Sequence, residues 1–321
     1  MTEAVLVTHR LPAGVSMRSG WETWPGEGPM PRGELLSRVA DLDGLLCMLV
    51  DGIDDELIDT GKKLRVISQM AVGVDNVDLE SATAAGIPVG HTPDVLTETT
   101  ADTAFALLGA AVRRIPEGQR DLREGRVGEW DPDYLLGGDL WGTVLGVVGL
   151  GRIGKAVTRR AKGFGMDVLY SGRAPRENDL GAVFADFDTL LAEADHIVLT
   201  APLTPATRHM INRESLARLK DGATLVNVAR GGLVDHEALA EAAATGRIRV
   251  ALDVTEPEPL PRDHALLAMD NVLVIPHLGS ASVRTRAAMA ELAIANLEAG
   301  LRREPLPACA NPEVYSQWSG G

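Results

Sequence analysis

The sequence predicts an α/β protein made of two parallel-sheet units, one inserted into the other. Short β-branched or Leu-rich runs alternate with helical stretches along the 321 residues, the order that builds parallel sheets with crossover helices. The runs are near-continuously apolar, as strands covered on both faces are. The length suits about two domains, yet the last roughly twenty residues are too few for a core of their own. The tail must therefore pack back onto something earlier.

In chain order, the first strands are expected at Val5–Thr8, Leu45–Val50, Val66–Met70 and Pro88–Gly90. An Ala- and Leu-rich helix, Thr97–Arg114, follows and is expected to close at Pro116, which cannot continue it. A second series of six strands is expected at Val144–Gly149, Val168–Ser171, Ile197–Thr200, Thr224–Ala229, Val250–Val254 and Val272–Ile275. Between them lie amphipathic stretches such as Ile153–Phe164 and His236–Thr245. The last long helix, Ser282–Ala299, is expected to end on Gly300 as its C′ residue. Gly- and Pro-rich Trp21–Gly33 and Gly125–Gly142 read as surface loops. The expected division is a discontinuous first domain, 1–98 with 284–321, and an inserted second domain, 99–283.

Composition narrows the function. Apolar residues are 45% and charged residues 24%, ample for a core and unlike a disordered chain. The longest apolar runs, Leu45–Val50 and Val144–Leu150, fall far short of the roughly 18 residues a membrane helix needs. The N-terminus shows no basic region before an apolar stretch, so no secretory signal is expected. The net charge of −14 repels phosphate backbones and anionic lipid, so nucleic acid and membrane are poor partners. A small anionic ligand needs a local basic site. Two cysteines, Cys47 and Cys309, make neither a disulfide framework nor a metal knot, and a reducing cytoplasm is the simplest home.

Gly149-Leu-Gly151-Arg-Ile-Gly154 follows an expected strand and opens an expected helix. In that context Gly-x-Gly-x-x-Gly is a dinucleotide fingerprint of the Rossmann type. Gly149 serves the tight turn, Gly151 lets backbone approach a pyrophosphate, and Gly154 lets helix pack on strand. The helix N-terminus then meets the phosphates. At the end of the next strand, where an acidic side chain would hold the adenosine ribose, stand Ser171, Gly172, Arg173 and Arg176. Guanidinium groups suit a 2′-phosphate that a carboxylate would repel. NADP(H) is therefore favoured over NAD(H), unless both arginines are plain solvated loop charges.

Ligands of open parallel sheets bind beyond the strands' carboxyl ends. Those ends carry Gly149–Gly154, Ser171–Arg173, Ala201 and Pro202, Ala229 through Gly231, Asp253 through Glu258, and Pro276 through Gly279. Among seven histidines, His277 is the acid–base candidate, because it closes a second-domain strand on that rim. His196 precedes its strand at the wrong end. His9, His209, His236 and His264 read as solvated residues in loops or at helix starts, and His91 is a secondary candidate. Glu256 or Glu258 can pair with His277, raising its pKa toward working pH, and Arg230 offers a two-pronged donor for a carboxylate.

Beyond the fingerprint stand Val72-Gly73-Val74-Asp75, Asn227-Val-Ala-Arg230-Gly231, Ala251-Leu-Asp253-Val-Thr-Glu-Pro-Glu258-Pro259 and Pro276-His277-Leu-Gly279-Ser280. With these segments the chain resembles the D-isomer-specific 2-hydroxyacid dehydrogenases. Thr92 through Ala101, Leu169 through Arg173 and Asp253 through Leu260 make it most similar to the glyoxylate/hydroxypyruvate reductases among them. The resemblance implies NADPH-dependent reduction of small 2-oxo acids, with His277 as proton donor and Glu258, rather than Glu256, as its carboxylate. It implies Arg230 on the substrate carboxylate and carbonyl, with Val72 and Gly73 holding the carboxylate through backbone N–H groups. Asp253 would meet the nicotinamide carboxamide and Thr100 would lie near the cofactor. The whole expected cofactor set is Thr100, Gly149, Gly151, Arg152, Ile153, Gly154, Ser171, Arg173, Arg176, Pro202, Thr207, Val228, Ala229, Asp253 and Gly279, with no metal.

Two departures stand out. Gly172 replaces the Asp of NAD-using relatives, and His91 stands where many relatives carry Asn, its role open. The resemblance also implies a homodimer, in which the Trp130–Tyr134 loop reaches a partner's site or is an ordinary surface loop. Rival readings are a phosphoglycerate or phosphonate dehydrogenase and a corepressor-like protein that senses NAD(P) without catalysis.

Overall fold

The computed structural model describes residues 3–320; Met1, Thr2 and Gly321, the outermost residues of the expected terminal segments, lie outside them. The chain divides into two compact units, Met1–Leu96 with Ser282–Gly321, and Thr97–Ala281. Each seam falls two residues before the one expected at 98/99 or 283/284.

The first unit begins with β1 (Val5–Val7), β2 (Glu22–Thr23), α1 (Arg32–Val39), β3 (Gly44–Cys47), α2 (Asp55–Thr60), β4 (Val66–Gln69), α3 (Leu79–Ala84) and β5 (Val89–Gly90). Its strands are parallel in the order β2-β1-β3-β4-β5. Asp54 and Asp78 cap α2 and α3 by accepting the N–H groups of Leu57 and Ser81, satisfying donors that helix starts leave open. Trp21–Gly33 is not the plain loop expected, since it contains the edge strand β2 and the start of α1. Two polar residues carry no apolar run from which a strand can be read.

The second unit opens with α4 (Thr97–Val112) and α5 (Ile115–Arg123). Pro116 does not close the first of these, contrary to expectation. The break is at Arg114, whose φ of +54° is left-handed. Pro116 sits in the first turn of α5, where a missing N–H costs nothing. There follow β6 (Val144–Val148), α6 (Arg152–Gly163), β7 (Asp167–Ser171), β8 (Val183–Phe184), α7 (Phe187–Glu193), β9 (His196–Leu199), α8 (Arg213–Ala217), β10 (Thr224–Asn227), α9 (His236–Ala244), β11 (Arg249–Leu252) and β12 (Val272–Val274). Among the described residues the sheet has seven parallel strands, β12-β11-β10-β9-β6-β7-β8, not six. The added strand, β8, is another two-residue edge.

Both faces of this sheet are covered, which explains the unbroken apolar runs. Leu145 and Val147 of β6 join one core with Ala104, Leu108 and Val157 of α4 and α6, while Val148 joins another with Leu190 and Leu239 of α7 and α9. The chain reverses direction across the sheet at β6, which lies between β7 and β9. That switch point is where open α/β sheets leave a crevice for ligands.

The chain re-enters the first unit as α10 (Val283–Leu301), capped by Ser282 through the Thr285 N–H. Gly300 does not end this helix but lies inside it. A Cβ there would sit 2.4 Å from the Cβ of Val66, so the missing side chain lets α10 lie against β4. The turn passes instead to Arg303, with φ +56°. Among the described residues no helix is long and apolar enough to cross a membrane.

Candidate active site

β6 delivers the glycine turn to the switch point. Gly149 has φ +99°, and a Cβ on it would lie 2.8 Å from the backbone of Ala201. A Cβ on Gly154 would stand 2.1 Å from the Gly149 carbonyl oxygen. These two glycines therefore set how tightly strand and helix join. Gly151 differs, because a Cβ there meets open space. It is the N-cap of α6, and no side chain caps that helix start, where Arg152 and Ile153 follow. An open glycine before an uncapped helix fits a dinucleotide pyrophosphate.

Beyond β7, Ser171 is buried and its carbonyl accepts the Gly149 N–H at 2.8 Å. The exposed segment from Gly172 to Arg176 is pinned by Tyr170, whose hydroxyl oxygen accepts the Arg176 N–H at 2.7 Å and whose O–H donates to the Arg176 carbonyl at 2.9 Å. Reading along the sequence missed Tyr170, since nothing local marks a ring that folds back six residues. Across β9, the Thr207 hydroxyl donates to the Pro202 carbonyl and accepts from the Thr204 N–H, both at 2.8 Å. Thr207 thus braces the loop that carries Pro202.

The expected acid–base residues lie at the ends of β10, β11 and β12. Asn227 is wholly buried; its Oδ1 accepts the Ala229 N–H and its amide donates to the Arg230 carbonyl, which fixes the turn Val228–Ala229–Arg230. A Cβ on Gly231 would lie 2.1 Å from the Thr255 carbonyl group, so Arg230 is seated against the loop that carries Glu258. The Arg230 Nη1 donates to the Ala229 carbonyl at 2.8 Å.

His277 follows β12 with a left-handed φ of +53°. Its main-chain N–H donates to the Asp253 carbonyl at 2.9 Å. The Asp253 carboxylate accepts the Leu278 and Gly279 N–H groups at 2.5 and 3.0 Å. Asp253 thus holds the turn at His277 through its main-chain carbonyl and at the two residues that follow through its buried carboxylate. Burial pushes the Asp253 carboxyl up, only partly offset by those N–H groups and the charge of His277. Thr100 of α4 borders the same turn, 3.5 Å from where a Gly279 Cβ would be.

His277 Nδ1 stands 2.5 Å from Glu258 Oε1, and the second carboxylate oxygen accepts the Thr255 N–H at 3.2 Å. Burial raises the Glu258 carboxyl, but the His277 hydrogen bond and charge, the Thr255 N–H and the Arg230 charge together bring it below the ordinary glutamate value. The carboxylate therefore faces Nδ1, and Nε2 is the ring atom left to act on a ligand. Glu256 instead pairs with Arg208 at 3.0 Å.

The other histidines part company. His196 is buried at the start of β9, bonded through Nε2 to the Asp139 carbonyl. His236 is not solvated as expected: it is buried, its Nδ1 bonds the Val234 carbonyl and its Nε2 accepts the Glu256 N–H. His264 caps a 3-10 turn by accepting the Leu266 N–H. In the first unit, His91 bonds the Val72 carbonyl, and Val72 and Gly73 form the loop after β4.

A glycine turn at a switch point, with imidazole, carboxylate and guanidinium at neighbouring strand ends, is the layout of a dinucleotide-dependent oxidoreductase. Residues 105–279 match the model of the D-isomer specific 2-hydroxyacid dehydrogenase NAD binding domain. A glyoxylate reductase of Korarchaeum cryptofilum is 46% identical over 323 residues, 98% of this chain and 97% of its own. A solved Thermus thermophilus protein superposes with a TM-score of 0.90 at 47% identity, covering 96% of this chain and 99% of that one. The NADPH-dependent glyoxylate/hydroxypyruvate reductase of Sinorhizobium meliloti, solved with NADP and malonate, gives 0.85 at 34% identity, with 97% of each chain covered. The chain belongs to the D-isomer-specific 2-hydroxyacid dehydrogenase family. It is an oxidoreductase whose second unit is a nicotinamide-dinucleotide domain of the Rossmann type.

Proposed function

We propose that this protein reduces small 2-oxo acids, glyoxylate and hydroxypyruvate, to glycolate and D-glycerate, with NADPH preferred over NADH and His277 as the proton donor. The observation that carries the reading is the 2.5 Å His277–Glu258 pair on a turn held by Asp253. A reduced nicotinamide, when bound, supplies the hydride for C2 of the substrate. The remaining work falls to the chain. Nε2 of His277 gives its proton to the carbonyl oxygen, while Glu258 stays ionised at Nδ1 and balances the imidazolium. Arg230 stabilises negative charge growing on that oxygen, an effect commonly worth about 3 kcal/mol. Val72 and Gly73 hold the substrate carboxylate by their N–H groups. Gly149 through Gly154 take the pyrophosphate, and Asp253, Thr100 and Gly279 flank the nicotinamide.

The cofactor preference rests on Arg173 and Arg176, exposed side chains with no ion pair among the described residues, and on Gly172 where a competing carboxylate would stand. The experiment is a panel of 2-oxo acids with NADPH and NADH. Glyoxylate and hydroxypyruvate are expected to turn over, faster with NADPH. Replacing Arg173 and Arg176 together by Ala is expected to raise the NADPH KM at least about tenfold while sparing NADH. Absence of turnover with any 2-oxo acid overturns the reading.

The working form we propose is a cytoplasmic homodimer. Ile115, Leu122, Trp130, Leu136 and Trp141 are large apolar side chains exposed along one stretch of the second unit, Trp130 at 87%. Such a concentration marks an interaction surface, and the bare loop at Trp130 fits a second copy. Sedimentation equilibrium is expected to give twice the chain mass; a monomer at micromolar concentration argues against it.

A further inference from the structure

We infer that His91 is a positioning residue for substrate carboxylate binding, acting through the peptide between Val72 and Gly73. The inference lies within the first unit, and it deepens the reading above by asking what aims the two backbone donors.

The loop after β4 is tied down through consecutive carbonyl groups. The Ala71 carbonyl accepts the Thr92 N–H at 2.8 Å. The Val72 carbonyl accepts His91 Nδ1–H at 3.0 Å; a carbonyl cannot donate, so the proton is on Nδ1. The Gly73 carbonyl accepts the Gln69 amide at 2.5 Å. Gln69 is wholly buried and exchanges two 2.8 Å bonds with Asn76, while Asn76 also donates to the Asp51 carbonyl at 2.7 Å. Both ends of the loop are anchored.

None of these peptides is cis. In a planar trans peptide the C=O and N–H point in opposite directions. Holding the Ala71 carbonyl therefore aims the Val72 N–H away from Thr92, and holding the Val72 carbonyl aims the Gly73 N–H away from His91. Neither N–H finds an acceptor among the described residues. Two successive N–H groups without partners, their peptides fixed from behind, are donors left open to an anionic ligand. A hydrogen bond at the carbonyl end also polarises the peptide and strengthens its N–H as a donor. Thr92 contributes through main chain, which any residue but proline supplies. His91 contributes through its side chain, so position 91 is where sequence tunes this donor pair.

The test compares His91→Ala, His91→Leu and His91→Asn with the parent protein. It reads kcat and KM for glyoxylate, the Kd of oxamate by calorimetry with NADPH present, and the Kd of NADPH by fluorescence. Loss of one such bond is expected to raise glyoxylate KM and oxamate Kd together by roughly two- to tenfold. At the same time kcat and NADPH affinity stay within about twofold. Asn, which can still donate, is expected to recover most of the loss, and Leu keeps bulk in place should Ala fail to fold. Unchanged oxamate affinity in both Ala and Leu, a fall in kcat alone, or no recovery by Asn overturns the inference. If the parent turns over no 2-oxo acid yet binds oxamate, and His91→Ala weakens it, the reductase reading falls and this one stands. If the parent does not bind oxamate at all, this one falls.

Discussion

His277, the proton donor proposed above, is set in place by what holds its backbone. Its backbone occupies a region that side chains avoid, and Asp253 keeps it there through three main-chain bonds. The motif around residues 276–280 and the glutamate before Pro259 could be read from consecutive residues. The service of Asp253 as a staple could not, because its partners lie 25 and 26 positions away. Burial raises the Glu258 carboxyl, yet the His277 hydrogen bond and charge, the Thr255 N–H and the Arg230 charge together hold it below its ordinary value. Such a depressed carboxyl adds stability above the ordinary glutamate value and loses it as pH falls through the lowered one. Glu258→Gln removes the counter-charge of the imidazolium. The expected result is slower reduction that fails at a lower pH than in the parent, with NADPH binding intact. An unchanged pH–rate profile would discard the role.

At the scale of elements, glycine spacing was legible where function and backbone agree, as in Gly149–Gly154, and misleading where only packing decides. Gly300 looks like a helix stop, yet α10 runs through it because Val66 leaves no room for a Cβ. Gly300→Ala is expected to destabilise the protein by about 1–3 kcal/mol, the usual cost of overpacking, seen as a lower urea midpoint. Gly33→Ala serves as the control, since a Cβ there meets nothing within 4 Å. Equal midpoints for the two variants would mean that α10 and β4 can move apart freely. The edge strands β2 and β8 escaped notice because two residues paired on one side need no apolar run. The break at Arg114 escaped it because a left-handed arginine leaves no mark in composition.

Over the whole molecule, the parallel-sheet architecture of both units follows from the alternation of apolar runs and helices, though the edge strands that bring the sheets to five and seven do not, and the net charge of −14 is a property of composition. Acid sensitivity is not. Burial lowers both His196 and His236 from the ordinary 6.5, so the folded chain resists protons that the unfolded chain accepts. The sign follows directly: stability is present above about pH 6.5 and falls as pH drops through the lowered values. A urea-unfolding series from pH 8 to 5 is expected to show a falling midpoint below about 6.5. His236→Asn is expected to flatten that fall, and an equally steep one would exclude His236 as a source.

Read alone, the chain reveals the α/β architecture, the inserted second unit and the glycine turn. All of these are written in short stretches whose spacing carries physical meaning. Folding decides the rest: what staples the His277 turn and which peptides are tied so that their N–H groups stay open. It also decides which glycine is a hinge of packing rather than a stop. These depend on groups brought within about 3 Å from far along the chain, and no local pattern encodes a distance.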